Sequence, residues 1–103
     1  MNTYSLRKPT VMDGGIFDKN TQSERYQNIS VKVVEEDETI DALLLDGEEV
    51  AKNGGANWSV SSGTTIVLKR GYLASFDIGS VVFVAETSAG EVPFEVTITE
   101  SEA

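Results

Sequence analysis

The sequence predicts an all-β domain, either a sandwich or a small barrel. Three observations carry this. Apolar and polar residues alternate with period two in several short runs, as on a half-buried strand. Turn signals separate those runs at intervals of about ten residues. The chain has 103 residues, enough for one modest core and too few for a second domain.

The elements follow in chain order. Ile29, Val31 and Val33 alternate with Ser30, Lys32 and Val34, and the run breaks at Glu35-Glu36-Asp37-Glu38. Ile40–Leu45 is a short apolar strand closed by the turn pair Asp46-Gly47. Glu48–Lys52 is a short strand ahead of the turn Asn53-Gly54-Gly55. Trp58-Ser59-Val60 and Thr65–Leu68 flank Ser61-Ser62-Gly63 as a hairpin. Val81–Glu86 and Phe94–Thr99 complete a set of about seven strands. In the last, Phe94, Val96 and Ile98 share one face, and Glu95, Thr97 and Thr99 the other. Lys69–Phe76 departs from the pattern: Tyr72, Leu73 and Phe76 sit at helical spacing, which predicts one helical turn plugging an end of the core. Residues 1–8 and 100–103 read as flexible tails around a domain spanning 9–99.

Charge and missing residue types narrow the function. Eight Lys and Arg against 17 Asp and Glu give a net charge of −9. Such a domain is repelled by phosphate backbones and anionic lipid, so neither nucleic acid nor a membrane is an expected partner. The chain has no Cys and no His. That removes disulfides, thiolate nucleophiles, imidazole metal sites and Ser–His or Cys–His pairs. Cleavage of glycosides by paired carboxylates needs two acids about 5–10 Å apart across a cleft that holds a sugar ring, and a packed sandwich of this size has little room for one. The expectation is no enzyme, no catalytic residue, no cofactor and no metal. Glu35, Glu36, Asp37, Glu38, Asp41, Asp46, Glu48 and Glu49 crowd one segment, but without the spacing of a Ca²⁺-binding loop. They read as solvated charge that blunts an edge strand, with contact to a basic patch on a partner as the other option. Arg7 and Lys8 precede no apolar run, which predicts no signal peptide and synthesis in the cytoplasm, with an extracellular location only as part of a longer exported chain.

Across about residues 9–99 the chain resembles the X-two module, a small immunoglobulin-like domain of cellulosomal scaffoldins and other bacterial surface proteins, often labelled carbohydrate-binding. The resemblance starts at Pro9-Thr10 and is most recognisable at Phe17-Asp18-Lys19-Asn20. It continues through Asn28-Ile29-Ser30-Val31, the loop Asn53-Gly54-Gly55, the strand Trp58-Ser59-Val60-Ser61, and Thr65–Lys69 leading to Tyr72-Leu73. Gly79, Ser88-Ala89-Gly90 and Phe94–Thr99 complete it. The family's aromatic is usually Tyr where this chain has Trp58. The resemblance implies an immunoglobulin-like β-sandwich and structural roles for Phe17, Asp18, Lys19, Asn20, Gly54, Gly55, Leu73 and Gly90. Physical chemistry adds a reason: Asp18 and Asn20 can accept backbone N–H groups in a turn and so fix the first strand to the domain.

Two functional expectations follow. One is a non-catalytic accessory protein docking on a large assembly, a bacteriophage virion component such as a capsid decoration or tail-associated protein. Tyr4, Arg7 and Lys8 would then supply the contact. The other is a cell-surface or cellulosomal module that acts as spacer, solubiliser or weak binder of polysaccharide or cell wall. Trp58 and Tyr72 would then stack on sugar rings, although the alternation of Trp58 with Val60 favours burial and Tyr72 suits an anchor for the helical turn.

Overall fold

The structure is a computed structural model that describes residues 10–101. Nine strand segments form two sheets: β1 (Thr10–Val11), β2 (Ile16–Asp18), β3 (Ile29–Lys32), β4 (Ile40–Leu45), β5 (Glu48–Glu49), β6 (Trp58–Ser61), β7 (Thr65–Leu68), β8 (Gly79–Thr87) and β9 (Gly90–Thr99). One sheet has the order β1-β3-β7-β6, the other β2-β9-β8-β4-β5. This is the strand arrangement of an immunoglobulin-like β-sandwich. The seven expected strands are β3 to β9, and two short ones precede them. β8 and β9 run longer than their apolar cores suggested, and β5 is shorter.

Period-two burial builds the core. Phe83, Ala85 and Thr87 of β8 point inward opposite Phe94, Val92 and Gly90 of β9. Ile29 and Val31 of β3 meet Leu68 and Ile66 of β7 in the same way. Phe83 stacks on Phe94 with centroids 5.6 Å apart. Leu73, fully buried, drops from the single helical turn α1 (Arg70–Leu73) onto this core, as the helical spacing predicted. Tyr72 and Phe76 flank it and pack edge to face at 5.0 Å. Asp46 and Gly47 take positive φ values of 52° and 80°, the geometry of a tight hairpin turn between β4 and β5.

The first strand is divided between the sheets. β1 pairs antiparallel with β3, and β2 pairs parallel with β9. A 3₁₀ turn over Met12–Gly15 makes the crossing. It depends on Gly15, whose φ is +74° and whose Cβ, if present, would lie 2.7 Å from the Glu95 carbonyl oxygen. Gly14 has a similar φ of +66° but faces open space. Gly14→Ala should therefore cost only the left-handed backbone penalty, about 1 kcal/mol. Gly15→Ala should cost at least about 2 kcal/mol, because a backbone carbonyl must move as well. Urea denaturation of the two variants separates the contributions.

Candidate functional site

Phe17, Asp18, Lys19 and Asn20 form a joint rather than a ligand site. Phe17 is fully buried, with its ring centroid 5.6 Å from that of Tyr26. The Asp18 carboxylate accepts the backbone N–H of Asn20 at 2.9 Å and that of Ser101 at 3.0 Å. Asn20 Nδ2 donates to the Ser101 carbonyl at 3.1 Å. Lys19 donates its backbone N–H to Thr99 O at 2.8 Å and its ammonium to the Phe76 carbonyl at 2.9 Å. The segment thus ties the start of the fold to its end and to the residues after α1. The joint thus includes Ser101, two residues beyond the end of β9. Hydrogen bonds from the Ser101 side chain and from the backbone of Asn20 and Ser101 lower the Asp18 pKa from 3.8 to about 2.

Trp58 and Tyr72, the candidates for stacking on sugar, sit where the alternation of Trp58 with Val60 and the helical spacing of Tyr72 favoured. Trp58 is 3% exposed, and its Nε1–H donates to the Val50 carbonyl at 2.8 Å. The Lys52 ammonium lies 5.0 Å from its ring centroid. Trp58 is therefore a core residue with a satisfied polar end and a cation over it, and it offers no open face to a sugar. Tyr72 is half-buried against Phe76 and Phe83 and anchors the helical turn. Burial raises the pKa of its phenol above the ordinary 10. Among the described residues every aromatic side chain is buried or half-buried. Gly54 and Gly55 adopt positive φ in the 3₁₀ turn after β5, and Gly90 does so at the start of β9. Tyr4, Arg7 and Lys8 lie outside the described residues.

The acidic segment is spread out by the fold. Glu35 and Glu38 close the loop between β3 and β4, where Glu38 Oε1 accepts the Glu35 N–H at 2.9 Å. Lys32 and Glu35 form an exposed ion pair at 3.5 Å. Asp41 lies in β4, Asp46 in a turn, and Glu48 and Glu49 on the edge strand β5. Among the described residues no three acidic side chains come together in a group able to hold a metal ion.

The surface feature that sequence reasoning missed is the outer face of the five-stranded sheet. Register places Pro93, Val84, Leu44 and Glu49 in one row across β9, β8, β4 and β5, all pointing away from the core. Glu86 and Glu91 oppose each other in the row above, and Val82 and Glu95 in the row below. Val82 is 51% exposed. It also lines a shallow cleft of about 340 Å³ at the end of the sheet, with Ile78, Asp46 and Asp77. Ile78, 62% exposed, is the other large exposed hydrophobic residue among those described. No Lys or Arg occurs in any strand of this sheet. The signal was present as alternation: Val82 and Val84 occupy the positions between inward Phe83 and Ala85, where a solvated face ordinarily carries polar residues.

No family model matches the sequence, and no curated protein matches it. Solved structures do resemble the fold. A tri-modular GH5 subfamily 4 endo-β-1,4-glucanase from Bacillus licheniformis aligns over 93% of this chain with a TM-score of 0.66 and 15% identity. The same enzyme complexed with cellotetraose gives 0.65. The chain spans 19% of the length of that glucanase. The M4 domain of titin aligns over 96% of the chain with a TM-score of 0.46 and 16% identity. At these identities the likeness is one of fold.

Two outcomes test the site. The Asp18 carboxylate binds a proton near pH 3.8 in the unfolded chain and near 2 in the folded one. The stability added by its ionised form is thus complete above about pH 4 and lost as pH falls from there toward about 2. Asp18→Asn should narrow the difference in urea midpoint from wild type across that interval and leave it constant at neutral pH. Trp58→Phe should lower stability by about 1–2 kcal/mol through the unpaired Val50 carbonyl and the smaller ring. Wild-type Trp58 fluorescence should be blue-shifted and unchanged by soluble cello-oligosaccharides.

Proposed function

We propose that this chain is a non-catalytic immunoglobulin-like accessory module of the X-two type that docks on a large protein assembly. The observation that carries the reading is the outward row Leu44–Val84–Pro93, in which half-buried Leu44 and Val84 adjoin exposed Pro93 and Val82 on the outer sheet face. An open sheet face with an apolar row bordered by carboxylates suits a protein–protein contact better than the enclosed, convergent site that a small substrate needs. The assembly we favour is a bacteriophage virion, with the chain as a capsid decoration or tail-associated protein. Immunoglobulin-like modules recur in that role, which is support by analogy of fold. A symmetric lattice would display many equivalent docking sites, so a weak contact gains by avidity if copies are linked.

A specific observation favours a second setting, a spacer within a longer surface or secreted protein. Thr10 pairs with Lys32 at the pole of the Glu35–Glu38 loop, whereas β9 runs to the opposite pole, where Ser101 meets Asp18. A chain entering at one pole and leaving at the other can serve as a link in series. The fold likeness to about a fifth of a tri-modular glucanase agrees with that use. Such a module would bind polysaccharide weakly or act as solubiliser.

Size fractionation of native lysate, with the chain detected by mass spectrometry, separates the readings. Recovery with protein particles of megadalton size is the expected result. Recovery near 11 kDa or with cell-wall fragments would remove the virion setting.

A further inference from the structure

Resting on the docking reading, we propose that the outer face of the five-stranded sheet is the docking surface, and that its occupant is a partner protein with an apolar centre and a Lys/Arg rim. The first argument is arrangement. Leu44, Val84 and Pro93 form an apolar row, with Val82 adjoining it. Glu86 and Glu91 border it on one side, Glu95 on the other, and Glu49 at its end. This is the layout of an interface with an apolar middle and a polar rim, carrying a single sign of charge. The Ile78 cleft, with Asp46 and Asp77, extends the same chemistry to the end of β8.

The second argument is that the arrangement costs stability in the isolated domain. Glu86 and Glu91 are direct cross-strand partners on the same face. Like charges placed so repel, and a sheet optimised only for folding would place opposite charges there. The five strands supply no cation to relieve them. A basic partner would.

Charge complementarity also selects among occupants. A second copy packed symmetrically by this face would set one carboxylate rim against another, which is repulsive at neutral pH. A glycan would need an aromatic platform, and the face carries none. Nucleic acid and anionic lipid share the sign of the face. A basic protein surface remains.

The probe is a synthetic peptide of leucines flanked by lysines, titrated into the ¹⁵N-labelled chain; the control has glutamates in place of the lysines. Amide shifts should concentrate at Leu44, Val82, Val84, Glu86 and Glu95, and vanish with the control peptide. Shifts confined to the Glu35–Glu38 loop, or equal shifts with both peptides, would overturn the proposal. Glu86→Lys supplies a readout that misfolding cannot imitate: it should raise the melting temperature by removing the repulsion while weakening peptide binding at least about tenfold. A stabilised variant that binds like wild type would sink the idea. In the lysate, Val84→Lys should leave the particle fraction while Asp37→Lys stays. If Val84→Lys remains with wild type on the particles, the face is wrong and the docking reading stands. If wild type itself is absent from particles, the docking reading falls and the inference with it. Self-association through β8 at neutral pH, read by sedimentation, would also overturn it.

Discussion

The sandwich depends on one carboxylate. Asp18 collects backbone N–H groups from Asn20, two residues ahead, and from Ser101, at the far end of the fold. Beside it, the three-residue parallel pairing of β2 on β9 is held by ladder bonds, the Thr99 hydroxyl on the Phe17 carbonyl, the Lys19 N–H on the Thr99 carbonyl and the Asn20 amide on the Ser101 carbonyl. Charge-assisted hydrogen bonds are stronger than neutral ones, and here they close the longest loop in the chain. The joint also frees β1 to pair elsewhere. Because β2 is held on β9, the chain can cross at Gly15 and place β1 on the other sheet, so that each sheet gains an added strand from one short segment.

That economy has a functional counterpart. Phe17, Trp58, Leu73, Phe83 and Phe94 are spent on the interior, and Tyr72 and Phe76 on closing its end. Among the described residues little aromatic surface is left exposed. Around the outward row Leu44, Val84 and Pro93, the outer face of the five-stranded sheet presents Val82, Glu86, Glu91 and Glu95. The strands β8 and β9 keep core residues on one face and these outward residues on the other, and their period-two geometry makes that separation possible.

Much of this was legible in the residues. Alternation at Phe94–Thr99 and Ile29–Val33 identified inward faces that the core uses, and Asp46-Gly47 announced its hairpin. The helical spacing of Tyr72, Leu73 and Phe76 gave the plug. Asp18 and Asn20 were readable as turn acceptors because short polar side chains reach nearby N–H groups. Their partner Ser101 was not, because a contact across 83 positions leaves no local trace. β1 and β2 were missed for a related reason. Strands of two and three residues are too short to show a period, and they exist only because β3 and β9 offer edges to pair with.

The sequence by itself determined the class of the fold, the identity of the core, the turns and the acidic balance. These follow from local periodicity, backbone preference and counting. Tertiary structure alone decided that the first strand divides between two sheets, that the Trp58 N–H meets the Val50 carbonyl, and that Val84, Leu44 and Pro93 align in one row among carboxylates. Register across strands sets each of these. Register is a long-range property, fixed when both inner faces are buried at once, and no window along the chain contains it.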